Sequence, residues 1–298
     1  MTRLFFALFT VFFIAVSCTE RIDIRVGDAP SRVIIYGYIT SDTTQHSIRI
    51  TRSAPFFSTE SPRGISNAIV TISDNNGRII PLHECLFEPG LYLTAPDVYG
   101  EEGKTYTLNI LLDNGDEYSA TAFMHYVVGE IDSIGLEVSP IFPTMVQVLV
   151  YASNVGDDNN FSFFVSINDS IVNSTIDEFW VVPGEFFNAE HMDGTGIPVF
   201  ILRQNPDHPT RNEILNIGDK VTLRIDAISP EFTTFISNVQ SEIGGSNPIF
   251  GGPPANVPTN IVSSSGATPA LGFFTAFASR SAYTIVTEDF SVGNRISD

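Results

Sequence analysis

The sequence predicts a mainly β protein: two antiparallel β-sandwich domains, with one amphipathic helix in the second. Three observations predict it. Short β-rich runs, many alternating apolar and polar residues with period two, recur along the chain. Asn-Gly dipeptides stand between two pairs of these runs. Only one stretch, after Ser229, spaces its apolar residues as a helix does.

The first run, VIIYGYI at 33–39, is rich in β-branched and aromatic residues, and residues 46–51 alternate. Residues 68–72 lead through Asp74-Asn75-Asn76-Gly77 into 78–80. Asn-Gly predicts a type I′ hairpin turn there, with positive φ at both central residues. Tyr106, Leu108, Ile110 and Leu112 alternate with polar neighbours, and Asn114-Gly115 turns that strand into 117–123. Residues 31–125 therefore read as an N-terminal sandwich, followed by a short junction at 126–132.

A second domain is predicted over 129–290. Strand signals resume at 131–138 and continue at 145–151, 161–167 and 179–182, with Asp157-Asp158-Asn159-Asn160 as a turn. Val221, Leu223, Ile225 and Ala227 face one way and Thr222, Arg224 and Asp226 the other, as in a half-buried strand. Ser229-Pro230-Glu231 then supplies a capping hydroxyl, a proline at the first helical position and an acid in the first turn. Phe232, Phe235, Ile236 and Val239 share one face of a helix near 230–243, which Gly244-Gly245 ends. Residues 246–269, crowded with Pro, Gly, Asn and Ser, predict a long irregular loop. Residues 271–279 and 283–287 read as two closing strands.

The N-terminus places the protein. Residues 4–16 carry no charge but cover only about 20 Å as a helix, against roughly 30 Å of bilayer hydrocarbon. With Arg3 before them and small residues behind, residues 1–17 read as a secretory signal. Ala15-Val16-Ser17-Cys18 resembles the bacterial lipobox, in which the cysteine is acylated and becomes the mature N-terminus. An ordinary signal peptide with an incidental cysteine is the alternative. Residues 18–30 then form a polar, lipidated tether. Cys85, beside His83 and Glu84, has no internal disulfide partner once Cys18 is acylated, so packing alone holds the fold. Cys85 reads as a small buried hydrophobe at a strand end.

Composition excludes some functions. Asp and Glu number 34 against 15 Lys and Arg, a net charge of −19, which repels nucleic-acid phosphates and anionic lipid. Asp74-Asn75-Asn76-Gly77 and Asp113-Asn114-Gly115-Asp116 hold oxygen ligands, yet lack the spacing of a calcium loop and read as turns. Glu190-His191-Met192-Asp193 and Asp207-His208 are the best metal candidates and read as solvated loops, lacking the spacing of a coordination sphere. There is no GxSxG elbow and no phosphate cradle, so neither catalytic residue nor cofactor is assigned. Trp180 could stack on a sugar ring but reads as core. For a partner surface, Ile249, Phe250, Val257 and Ile261 offer apolar anchors in the 246–269 loop, with folding back onto the Phe232 helix as the alternative.

The order of segments is itself informative. VIIYGYIT, IRITRSAPF, AIVTISDNNG and GKTYTLNI, then GDKVTLRIDAISPEFTTFI, NPIFGGPPANVPTNI and ALGFFTAFA, together resemble the Bacteroidota lipoproteins grouped as domain of unknown function 4249. Phe232, Thr233 and Phe235 stand where that family's helix usually carries more tyrosine. The N-terminal domain also resembles immunoglobulin-like and carboxypeptidase-regulatory-like sandwiches. The resemblance implies a lipoprotein of the outer membrane; the lipobox puts its lipid on Cys18, and Glu20 and Asp23 close behind, where related bacteria often place acidic surface-export signals, point to the cell surface. It also implies a TonB-dependent transporter as partner, and no catalytic residue. The function expected is a non-enzymatic binding accessory of nutrient import, with an adhesin or fimbria-like surface protein as the alternative.

Overall fold

The computed structural model describes residues 31–54, 62–127, 130–153, 159–187, 196–204, 213–244, 257–264 and 266–288. Its architecture is mainly β, with large antiparallel sheets and one α-helix. The first sandwich is built from β1 (Val33–Thr40), β2 (Ser47–Arg52), β3 (Arg63–Gly64), β4 (Ile69–Asp74), β5 (Ile79–Glu84), β6 (Leu91–Leu93), β7 (Thr105–Leu111) and β8 (Glu117–Phe123). Period-two alternation sorts these strands, turning Ile35, Ile39, Ile48, Ile50, Ile72 and Leu108 inward to full burial. β5 pairs with β4 at Ile80 and Leu82 and with β6 at His83 and Glu84, closing one side of the sandwich.

The two Asn-Gly turns are not type I′. Among the described residues only Asn67, Asn168 and Asp169 have positive φ without being glycine. At the β4–β5 and β7–β8 hairpins only Gly77 (φ 89°) and Gly115 (φ 87°) are left-handed. Gly77 N–H donates to the Asp74 carbonyl at 3.0 Å and Gly115 N–H to that of Leu112 at 3.0 Å, so each turn is a type I turn followed by a bulged glycine. The Asp74 carboxylate favours this form, since its Oδ1 accepts the N–H groups of Asn76 and Arg78 at 2.9 Å each. The type I′ geometry is found instead at Asn168 and Asp169, which join β11 (Asn160–Ile167) to β12 (Ser170–Ile171).

In the second sandwich β9 (Glu130–Val138), β10 (Met145–Ser153) and β14 (Ile197–Arg203) form a three-stranded sheet. It faces β11, β12, β13 (Trp180–Val182) and β15 (Lys220–Ile228) across a core that includes Val146, Val148, Phe161, Phe163, Leu202 and Leu223. The helix α1 (Pro230–Gly244) starts as its sequence dictates, Ser229 Oγ accepting the Phe232 N–H at 3.1 Å, and buries Phe232, Phe235 and Ile236.

The expected boundary between domains does not separate the strands. β16 (Val262–Ser263) pairs with β8 of the first sandwich. The two expected closing strands are one, β17 (Leu271–Ile285), 15 residues long. From Leu271 to Phe277 it runs parallel to β1, Ile34 opposite Leu271 and Thr40 opposite Phe277. From Ala278 to Ile285 it runs antiparallel to β15. One strand thus serves both sandwiches, and the first is completed by residues more than 130 positions beyond its expected end.

Candidate functional site: an aromatic cleft beneath the helix

On β15 alternate side chains leave the second core and face α1. In the register of the sheet, Ser162, Asp226 and Ser279 lie side by side on β11, β15 and β17, with Phe164 and Arg224 one step along. Asp226 is fully buried. Its Oδ1 accepts from Ser279 Oγ at 2.7 Å and its Oδ2 from Arg224 Nη2 at 3.1 Å. Arg224 Nε is 3.1 Å from Oδ1 but off the line of a hydrogen bond. The guanidinium also lies over the Phe164 ring, 4.5 Å from its centroid.

Above this pair lies a cavity of about 110 Å³, walled by Tyr36, Tyr38, Phe164, Phe179, Phe232 and Phe277. A cavity of about 150 Å³ accepts benzene, so this smaller one has room for a few waters or a group smaller than a benzene ring. The rings pack on one another: Tyr38 and Phe277 centroids are 5.3 Å apart, Phe164 and Phe179 4.8 Å and edge-on. Gln240 on α1 fixes the rim by donating to the carbonyls of Ile176 and Phe179. Burial pushes the Tyr36 phenol well above its ordinary value, and Tyr38 adds to the shift, so Tyr36 stays a protonated donor. Arg224 Nη1 takes no part in the pairing with Asp226, and the side chain is 29 % exposed. The site therefore offers ring faces, hydroxyls and one charged donor, which is the chemistry of recognition.

Burial pushes the Asp226 carboxyl up to about 6, against the pull of Arg224 and Ser279. Between the ordinary value of 3.8 and about 6 the folded chain binds more protons than the unfolded one, so stability declines as pH rises through that window. The decline amounts to at most about 3 kcal/mol. Buried His46 works in the opposite sense: desolvation lowers it, so its contribution is lost as pH falls below the unfolded value of 6.5. Asp226→Asn isolates the carboxyl. Denaturant titrations at pH 4.5 and 7 should show the wild type losing stability relative to the variant as pH rises; parallel curves would mean that Asp226 titrates normally.

Of the residues expected at a functional site, those described do not line this cleft. Cys18, Ile249, Phe250, the Glu190-His191-Met192-Asp193 run and Asp207-His208 lie outside the described residues. Ile261 is buried in the first core, and Val257 is partly buried against the helix cluster, as the alternative of folding back onto the Phe232 helix has it. Asn260 holds that segment down, its Nδ2 donating to the Phe274 carbonyl at 2.7 Å and its Oδ1 accepting the Phe274 N–H at 3.0 Å. Trp180, expected in the core, is half exposed on the short strand β13, and Cys85 is only partly buried. Among the described residues no three His, Cys, Asp or Glu side chains cluster to hold a metal ion. Nor is any described helix long and apolar enough to cross a membrane. The cleft was hidden from sequence because Arg224 and Asp226 read as the solvent face of a half-buried strand.

No curated protein matches the chain. Residues 19–282 match the family model described as Domain of unknown function (DUF4249), and with most of its length so matched the chain belongs to that family.

Proposed function

We propose that the protein is a Bacteroidota outer-membrane lipoprotein, anchored through Cys18, that works without catalysis as a binding accessory of a TonB-dependent nutrient importer. The observation that carries this reading is the run Ala15-Val16-Ser17-Cys18, placed between a short apolar signal and a polar tether. Family membership and the aromatic cleft support it: the cleft offers ring faces, hydroxyls and one charged donor to a small ligand, on a body the tether would hold near the membrane.

Fatty-acid labelling in the native host tests the anchor, with incorporation expected for the wild type and none for Cys18→Ala. Equal labelling of the two would refute it. Isolation of the labelled protein from detergent-solubilised outer membranes then tests the partner. Co-purification of a transporter is expected, whereas assemblies containing only copies of this chain would favour the adhesin reading.

A further inference from the structure

The hairpin between β5 and β6 ends in two large apolar side chains with almost no cover. Leu86 is 93 % exposed and Phe87 96 %. Single exposed hydrophobes are common, but two neighbours standing free on one tip call for a partner surface. The tip is rigidly built. Cys85 N–H donates to the Leu91 carbonyl at 2.7 Å, Leu91 N–H to that of Glu88 at 3.1 Å, and Glu88 pairs with Arg49 at 2.6 Å. At its base the backbones of Gly64 and Gly90 touch, so that a Cβ on Gly90 would lie 2.4 Å from the Ile50 carbonyl oxygen and 2.6 Å from Gly64 Cα. The fold thus holds Leu86 and Phe87 in water rather than leaving them free to collapse.

The position of the tip names the surface. β1 begins at Val33 opposite Arg52, the last residue of β2. The chain arrives there from residues 18–30, fastened by Ser31 Oγ on the Ser53 carbonyl and by Arg32 N–H on Ser53 Oγ. β6 runs antiparallel to β2 with Leu93 opposite Ser47 and Leu91 opposite Arg49, so the residues before Leu91 extend toward that same end. β17 leaves in the other direction: it passes Ile34 first and Thr40 last, then continues into the second sandwich. Tether entry and apolar tip share one end of the first sandwich, and the second sandwich lies beyond the other. Along β17 alone the distance is roughly 50 Å.

We propose that Leu86 and Phe87 seat the first sandwich on the lipid surface to which Cys18 is anchored, so that the second sandwich stands away from the bilayer. The proposal rests on the anchor reading for its setting. Twelve residues between Cys18 and Ser31 reach at most about 40 Å, which keeps the tip at high effective concentration against the membrane. Two apolar side chains too weak to bind lipid alone suffice as a second contact beside an acyl anchor. The partner is the acyl-chain boundary of a zwitterionic surface rather than anionic headgroups, since the chain carries a net charge of −19.

The test uses the mature chain, residues 18–298, carrying Cys85→Ser and coupled through the Cys18 thiol to maleimide-lipid in phosphatidylcholine vesicles. With Trp180→Phe, the substitution Phe87→Trp leaves one indole as reporter. Lipids brominated in their acyl chains should quench most of its emission and shift it to the blue, and adding Leu86→Ser should weaken both effects. The same indole placed by Phe142→Trp, on the exposed β9–β10 turn of the second sandwich, should remain unquenched. An unquenched indole at position 87 overturns the proposal, and equal quenching at both positions overturns the orientation. Coupling is chemical, so absence of acyl label on Cys18 in the native host would refute the anchor without changing this result.

Discussion

A chain cut after Val127 is expected not to unfold cooperatively, although it contains β1 to β8. The cut removes β17, the neighbour of β1 from Ile34 to Thr40, and leaves that strand paired only with β2, one edge unpartnered. It also removes Ile261, Ala270, Phe274, Ala276 and Ala278 from the first core. Loss of a buried Phe side chain alone costs about 3–5 kcal/mol, against a net stability of roughly 5–15 kcal/mol for a domain. A melt followed by circular dichroism should therefore lack a sigmoidal transition. Fusing residues 257–278 behind residue 127 through a Gly-Ser linker should restore one. A cooperative transition for the cut chain by itself would show that the eight strands are autonomous.

Phe274→Ala carries the next largest effect, a destabilisation of about 4 kcal/mol. Phe274 is completely buried in the first core, and its backbone is held on both sides by Asn260. For a chain of this size the melting temperature should fall by roughly 10 °C. Phe274→Leu, which leaves a smaller void, should cost no more than about 1.5 kcal/mol. Because β17 continues from this core into the second sandwich, both halves should melt in one shifted transition. Two separated transitions in the alanine variant would mean that the strand does not couple them.

Local sequence was sufficient wherever a segment keeps its apolar residues to one face. Ile48 and Ile50 of β2, Tyr106, Leu108 and Ile110 of β7, and Val221, Leu223 and Ile225 of β15 alternate, and all of them are buried. The helix was legible for the same reason, with its cap at Ser229 and its apolar face at Phe232, Phe235 and Ile236. Alternation fails as a guide in β17. Its residues from Phe273 to Ala278 are buried on both faces, whereas from Arg280 to Ile285 the strand alternates again, so one strand carries two patterns and reads as two. β14 carries no such signal, because its apolar run holds Pro198 and has no regular period.

The sequence by itself determined the class of fold, the positions of most strands, the helix with its cap, and the lipobox-like Cys18, because these depend on residues within a few positions of one another. Only the tertiary structure decided which strands meet. It placed Ile34 beside Leu271 and Ser119 beside Val262, turned Val257 and Ile261 inward, and left Leu86 and Phe87 uncovered. It also covered the polar face of β15 with aromatic rings, burying Asp226 against Arg224. No periodicity records these events, because burial of a side chain depends on what distant chain packs over it.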